Sequence, residues 1–165
     1  MVLAGFLYIR YNPGVMAPVH FRPMRKEDLP VLMRISRRNM ADIILSSWGV
    51  NWRDENLNEM LMDPEAQTVV LENGERVVGY YCVERRGCCL FVNSIQVIPE
   101  RRKEGLGREM MVRIEERARK EGMEAVELWV QRTNSNALLF YRHLGYRTVA
   151  QRGNNFMMRK RMGGA

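Results

Sequence analysis

Residues 94–111 read "SIQVIPERRKEGLGREMM": an apolar run closed by a proline, then a knot of charge with two glycines one residue apart, then the start of a helical pattern. Leu106, Met110, Met111, Ile114 and Ala118 recur at helical spacing until Gly122 stops them, which predicts a long amphipathic helix. A strand ending at Val97-Ile98-Pro99 that turns through Arg102 to Gly107 into that helix leaves the helix's first amides without intrahelical partners. Such amides, with the positive end of the helix dipole, attract phosphate oxygens. Gly105 and Gly107 carry no Cβ, so a ligand can approach their main chain closely, and Arg101, Arg102, Lys103 and Arg108 add positive field. The same stretch also reads as a plain glycine turn within a solvated charge cluster. Two commoner phosphate motifs are excluded: a P-loop needs Lys and Ser or Thr where Arg108 and Glu109 follow Gly107, and a dinucleotide fingerprint needs a third glycine where Met110 stands.

Upstream of this stretch, "CCLFVNSIQVI" is long enough to cross a sheet. "QTVVLEN" and "RVVGYYCVER" before it form a hairpin with Asn73-Gly74 as its turn pair, which predicts three consecutive antiparallel strands. Further back, Val19 to Pro23 suits a short strand. "RKEDLPVLMRI" suits a helix with Leu29, Leu32, Met33 and Ile35 apolar, and "ENLNEMLM" suits a second helix halted before Pro64. Downstream come a strand, "AVELWVQ", a short helix, "NSNALLFYRHLGY", ended by Gly145, and a final hairpin of "RTVAQR" and "NFMMRKRM". A strand-helix-strand unit around the glycines implies parallel pairing there. The prediction is a single-domain α/β fold: a mixed, mostly antiparallel central sheet flanked by about four helices.

At 165 residues, 46% hydrophobic and 27% charged, the chain suits one domain with a sizeable core. Its net charge of +7 favours an anionic partner, whether nucleic acid, acidic lipid or a polyphosphate. The basic residues are scattered, without an aromatic-interleaved stripe, which disfavours nucleic acid. Cys82, Cys88 and Cys89 lack metal-ligand spacing, so they read as reduced thiols of a cytoplasmic protein without a metal. "VLAGFLYI" is far shorter than a membrane span and has no basic flank before it, which argues against a membrane partner. Met16 follows "NPG" and precedes "APVHFRPM". Residues 1–15 are therefore read as an appendage with no assigned role, and 16–165 as the domain.

The pattern Arg102-x-x-Gly105-x-Gly107, after a strand and before a long helix, resembles the acetyl-CoA-binding signature of the GNAT superfamily of N-acetyltransferases. "NSNALLFYRHLGY" is similar to that superfamily's second signature, matched by Asn134, Ala137, Tyr141, Gly145 and Tyr146, and the element order from Val19 to Met162 agrees. The resemblance implies a GNAT-like fold and an acyltransferase that takes acetyl-CoA as acyl donor. It implies that Arg102, Lys103, Glu104, Gly105, Leu106, Gly107 and Arg108 hold the coenzyme's pyrophosphate. Ile95, Gln96 and Val97 would bind the pantetheine arm through their backbone, and Asn134 and Tyr141 would also touch the coenzyme. The implied acceptor is a primary amine, either a peptide N-terminus or a small molecule. The alternative is a catalytically weak acyl-CoA-binding or anionic-ligand-binding domain of the same fold. Either form is compatible with a homodimer.

Acetyl transfer needs a neutral amine, a polarised carbonyl and a proton for the departing thiolate. By resemblance, a main-chain N–H within Ile95–Val97 faces the thioester oxygen and Tyr141 donates the proton; the other reading of Tyr141 is a ring packed beside Leu138 and Leu144. Where relatives carry a basic carboxylate, this chain has Trp129 or Phe91, neither of which accepts a proton. Glu127 shares a strand face with Trp129, and Glu84 lies near the end of the preceding hairpin. Each is a candidate base, directly or through water, or simply a surface carboxylate. His20 and His143 are weaker candidates. Trp48 and Trp52 flank "GVN" and either wall the acceptor site or pack onto the sheet. The final hairpin has a short turn where N-terminal protein acetyltransferases carry a longer loop, which leaves peptide and small amine both open.

Overall fold

The strand predicted ahead of the glycines forms as β4 (Cys89–Val97) and stands fourth in a seven-stranded sheet. The structure is a computed structural model that describes residues 18–163, so the appendage expected over residues 1–15 lies outside the described residues. The elements are β1 (His20–Pro23), α1 (Leu29–Trp48), α2 (Asp54–Met62), β2 (Ala66–Asn73), β3 (Arg76–Arg86), β4, α3 (Leu106–Lys120), β5 (Ala125–Gln131), α4 (Ser135–His143), β6 (Arg147–Arg152) and β7 (Asn155–Arg161). The sheet order is β1-β2-β3-β4-β5-β7-β6. Only β4 and β5 pair in parallel, across the α3 connection. The mixed α/β architecture agrees with the sequence expectation.

Two boundaries differ from expectation. The first helix continues beyond Ile35 to Trp48, because apolar positions recur through Met40, Ile43 and Ile44 and no breaker intervenes before Gly49. Gly49 takes a left-handed φ of 69° and donates its amide to the Leu45 carbonyl at 2.8 Å, a left-handed helix stop. The hairpin turn is Gly74-Glu75 rather than Asn73-Gly74: Asn73 still pairs with Arg76, and Gly74 supplies the positive φ.

Both faces of the sheet are covered. On one, Met110, Met111, Ile114 and Ala118 of α3 pack with Val83, Leu90, Val92, Val126 and Leu128. On the other, Leu32 of α1 and Leu57 and Leu61 of α2 pack with Val70, Tyr80 and Cys82. Burial on both faces explains why β4 begins as an unbroken apolar run instead of alternating.

The irregularity that matters most lies in β4. Cys82 pairs with Ser94 and Val83 with Val92, so Asn93 is an extra, unpaired residue and β4 bends there. The parallel ladder with β5 covers only Cys89–Val92 against Ala125–Leu128. Beyond Val92 and Leu128 the two strands part like a fork.

On its other side β4 is held tightly to β3 at Gly79, where a Cβ would stand 2.6 Å from the Gln96 carbonyl oxygen. Gly79→Ala is expected to lower stability by about 1–3 kcal/mol, as overpacking against backbone does. Chemical denaturation reads this as a lower midpoint; an unchanged midpoint would mean that β3 and β4 separate there without cost.

Candidate active site

The fork opens into a cleft of about 980 Å³. Asn93–Val97 of β4 and 128–131 of β5 form its sides, and the glycine loop with the first turn of α3 forms one end. Residues of α4, α1, α2 and the α1–α2 connection complete the walls. Because β5 no longer pairs with β4 past Val92, that edge of β4 is free to hydrogen-bond a ligand as a strand would.

The loop is shaped to present amides. Lys103 (φ 64°) and Gly105 (φ 84°) both take left-handed backbone, a conformation that is costly for lysine and free for glycine. The first amide of α3 to find a backbone partner is that of Glu109, which donates to the Gly105 carbonyl at 3.0 Å. Between Lys103 and Arg108 the amides make no hydrogen bond among the described residues. These groups and the helix dipole form an anion cradle. Of the predicted loop residues, Arg102, Lys103, Gly105, Leu106, Gly107 and Arg108 line the cleft; Glu104 does not, and its carboxylate pairs with Arg101 at 2.5 Å. Ile95, Gln96 and Val97 line it from β4.

Asn39, not singled out in the sequence, ties these parts together. It accepts from Arg102 at 2.6 Å and donates to the Gln96 side chain at 2.9 Å and the Val97 carbonyl at 3.0 Å. One turn earlier on α1, the Ser36 hydroxyl lies 2.5 Å from that of Tyr80, which lies 3.1 Å from Ser94 Oγ. Ser36 and Ser94 line the cleft, and Tyr80 is fully buried behind them. Burial pushes the Tyr80 phenol up to about 12, so it stays neutral at ordinary pH. The sequence signal for this group was present but subtle: Ser36 and Asn39 interrupt the apolar face of α1 at helical spacing.

On α4, Asn134 caps the helix by accepting the Ala137 amide at 3.2 Å, and it lines the cleft. Tyr141 lines the cleft at only 6% exposure, its ring edge-on to Phe140 and Tyr146. Its hydroxyl makes no hydrogen bond among the described residues, and burial pushes its pKa above the usual phenol value. Tyr146 has a different task, donating to the buried Glu115 at 3.2 Å.

The two carboxylates suggested as bases stand elsewhere. Glu84, Phe91, Glu127 and Arg159 form one row across β3, β4, β5 and β7, at a level where β4 and β5 are still paired. Glu127 is engaged by Arg159, Glu84 by Arg86, and neither lines the cleft. The strand-face parity of Glu127 with Trp129 was correct, but the fork starts beyond Glu127, so Trp129 reaches the cleft and Glu127 does not. His20 and His143 are exposed and also lie outside it. Of the two tryptophans, Trp52 is on the wall, its indole donating to Asp54 at 2.6 Å; Trp48 ends α1 at 51% exposure and is not. The short turn of the last hairpin is anchored: Asn154 donates to the Ser47 carbonyl, and its own carbonyl accepts from Arg132 at 2.8 Å.

Residues 37–146 match the acetyltransferase (GNAT) family. Among solved structures, the chain is similar to the ribosomal-protein-S18-alanine N-acetyltransferase of Escherichia coli (TM-score 0.72, 16% identity, 90% of this chain and 96% of that one). It is also similar to the PaiA N-acetyltransferase of Thermoplasma acidophilum in complex with coenzyme A (TM-score 0.70, 18% identity, 87% and 99%). A third similar structure is NAA60 of Arabidopsis thaliana in complex with acetyl-CoA (TM-score 0.70, 14% identity, 89% and 100%). No curated protein matches the chain by sequence.

Proposed function

Because the chain belongs to the GNAT acetyltransferase family, we propose that it moves an acetyl group from acetyl-CoA directly to a primary amine. The observation that carries this reading is the row of amides from Lys103 to Arg108, without partners among the described residues, set beside the open edge of β4 in one cleft. A pyrophosphate suits that cradle: the absence of Cβ atoms at Gly105 and Gly107 leaves room, and Arg102 and Lys103 supply charge. Asn39 holds Arg102 and the end of β4 in a fixed relation. The free edge of Ile95–Val97 offers strand-like hydrogen bonds to the amide-containing pantetheine arm and a main-chain donor to the thioester oxygen. Tyr141 donates a hydrogen bond to the departing sulfur.

The likeness to N-acetyltransferases of E. coli and T. acidophilum supports an amine as acceptor, and the short anchored turn at Asn154 is compatible with a peptide or a small molecule. Three free thiols fit a reducing compartment.

The test pairs calorimetry with acetyl-CoA and an assay of coenzyme A release over a panel of primary amines. Heat of binding and amine-dependent release are expected. No heat with acetyl-CoA, together with steeply salt-dependent binding of mixed nucleic acid, would overturn the reading in favour of an anionic-ligand-binding domain.

A further inference from the structure

The titratable side chains lining the cleft are Arg53, Arg101, Arg102, Lys103, Arg108 and Tyr141. They come from the α1–α2 connection, the glycine loop with α3, and α4; β4, β5, α1 and α2 contribute none. Among the described residues, no carboxylate and no imidazole lines this space. Residues 1–17 and 164–165 hold no Asp, Glu or His side chain that could supply one. The rest of the polar lining is neutral: the hydroxyls of Ser94 and Ser36, joined through Tyr80, and side-chain amides such as Asn39, Asn93 and Gln131. Such oxygens can accept an N–H from an amine, but they do not carry a proton away near neutral pH.

From this geometry we infer that the acceptor is a weakly basic primary amine that enters the cleft already neutral, with no protein base to deprotonate it. The inference rests on the transferase reading above. The proton balance supports it. When a neutral amine attacks, the N–C bond forms, the C–S bond breaks with its electron pair going to sulfur, and a proton lost by nitrogen ends on sulfur. The products are an amide and a thiol, and no proton is left over. An ammonium ion brings one proton more, and the lining of the cleft offers no carboxylate or imidazole to take it. An α-amine, with pKa near 8, meets this condition far better than a lysine-type amine near 10.4.

The experiment compares a short neutral peptide with a free α-amine against an Nα-blocked lysine amide, measuring kcat/KM from pH 6 to 10. For each amine, kcat/KM should follow its own neutral fraction. The α-amine profile should bend near pH 8 and level off above about pH 9, whereas the lysine-type amine should still rise at pH 10. At pH 7, ionisation alone favours the α-amine by about 200-fold. Glu127→Gln and Glu84→Gln should leave both profiles in place. A break at one pH shared by both amines, or a loss above tenfold in either variant, would reveal a protein base and overturn the inference while leaving the transferase reading intact. Bound acetyl-CoA with no turnover of either amine at any pH would overturn both.

Discussion

Tyr141→Phe is expected to lower kcat by at least about 100-fold while leaving the Kd for acetyl-CoA unchanged, the range typical of losing one positioned proton donor. That factor corresponds to about 2.7 kcal/mol of transition-state stabilisation. The asymmetry between kcat and Kd follows from the side chain's surroundings. The Tyr141 ring is packed against Phe140 and Tyr146, so phenylalanine keeps the packing and only the hydroxyl is lost. Among the described residues that hydroxyl has no hydrogen-bond partner, so its removal orphans none of them. Burial raises its pKa, because desolvation penalises the phenolate. The proton therefore remains in place throughout the range where the amines titrate, and no loss of activity from Tyr141 ionisation is expected below pH 10. Single-turnover kinetics with calorimetry checks both halves. Unchanged turnover with chemistry rate-limiting would remove Tyr141 from the reaction and leave it as a packing residue.

Gly107→Val is expected to weaken acetyl-CoA binding at least tenfold, about 1.4 kcal/mol, with the fold retained. Gly107 lies in the first turn of α3, and even a single Cβ there would stand 3.3 Å from Phe140 Cζ. A branched side chain cannot enter that gap without pushing Phe140, a cleft residue adjacent to Tyr141, or filling the approach to the amides of the cradle. Backbone strain is not the cause, since the left-handed position in this loop is Gly105 rather than Gly107. Calorimetry with coenzyme A and acetyl-CoA, alongside circular dichroism, reads the effect. Unchanged affinity in a folded variant would mean that the phosphates rest elsewhere.

What was legible beforehand was what short-range pattern encodes. Helical spacing from Leu106 to Ala118 and the paired glycines before it identified the loop and its helix, because a turn and a 3.6-residue period involve only neighbours in the chain. The hairpins and the parallel unit followed from turn residues and connection length, and the resulting order of elements along the chain is the one observed, whereas the fold alone placed β7 between β5 and β6. The first helix is longer than its first apolar turns indicate, because Met40, Ile43 and Ile44 continue the stripe to Gly49.

The composition of the cleft was decided by tertiary structure. Alternation assigns Glu127 and Trp129 to one face of β5, but it carries no information about where β4 and β5 separate. The single extra residue at Asn93 and the end of the ladder at Leu128 set that point, leaving Glu127 behind it and Trp129 inside. Asn39 meets Arg102, and Ser36 meets Tyr80, across tens of residues of chain. The sequence alone therefore located the glycine loop with its helix and set the order of elements along the chain, which depend on local backbone geometry. Only the fold decided that the space beside the glycine loop is bounded by neutral polar groups, apolar side chains and cations without a carboxylate, because that depends on which distant side chains packing brings to one place.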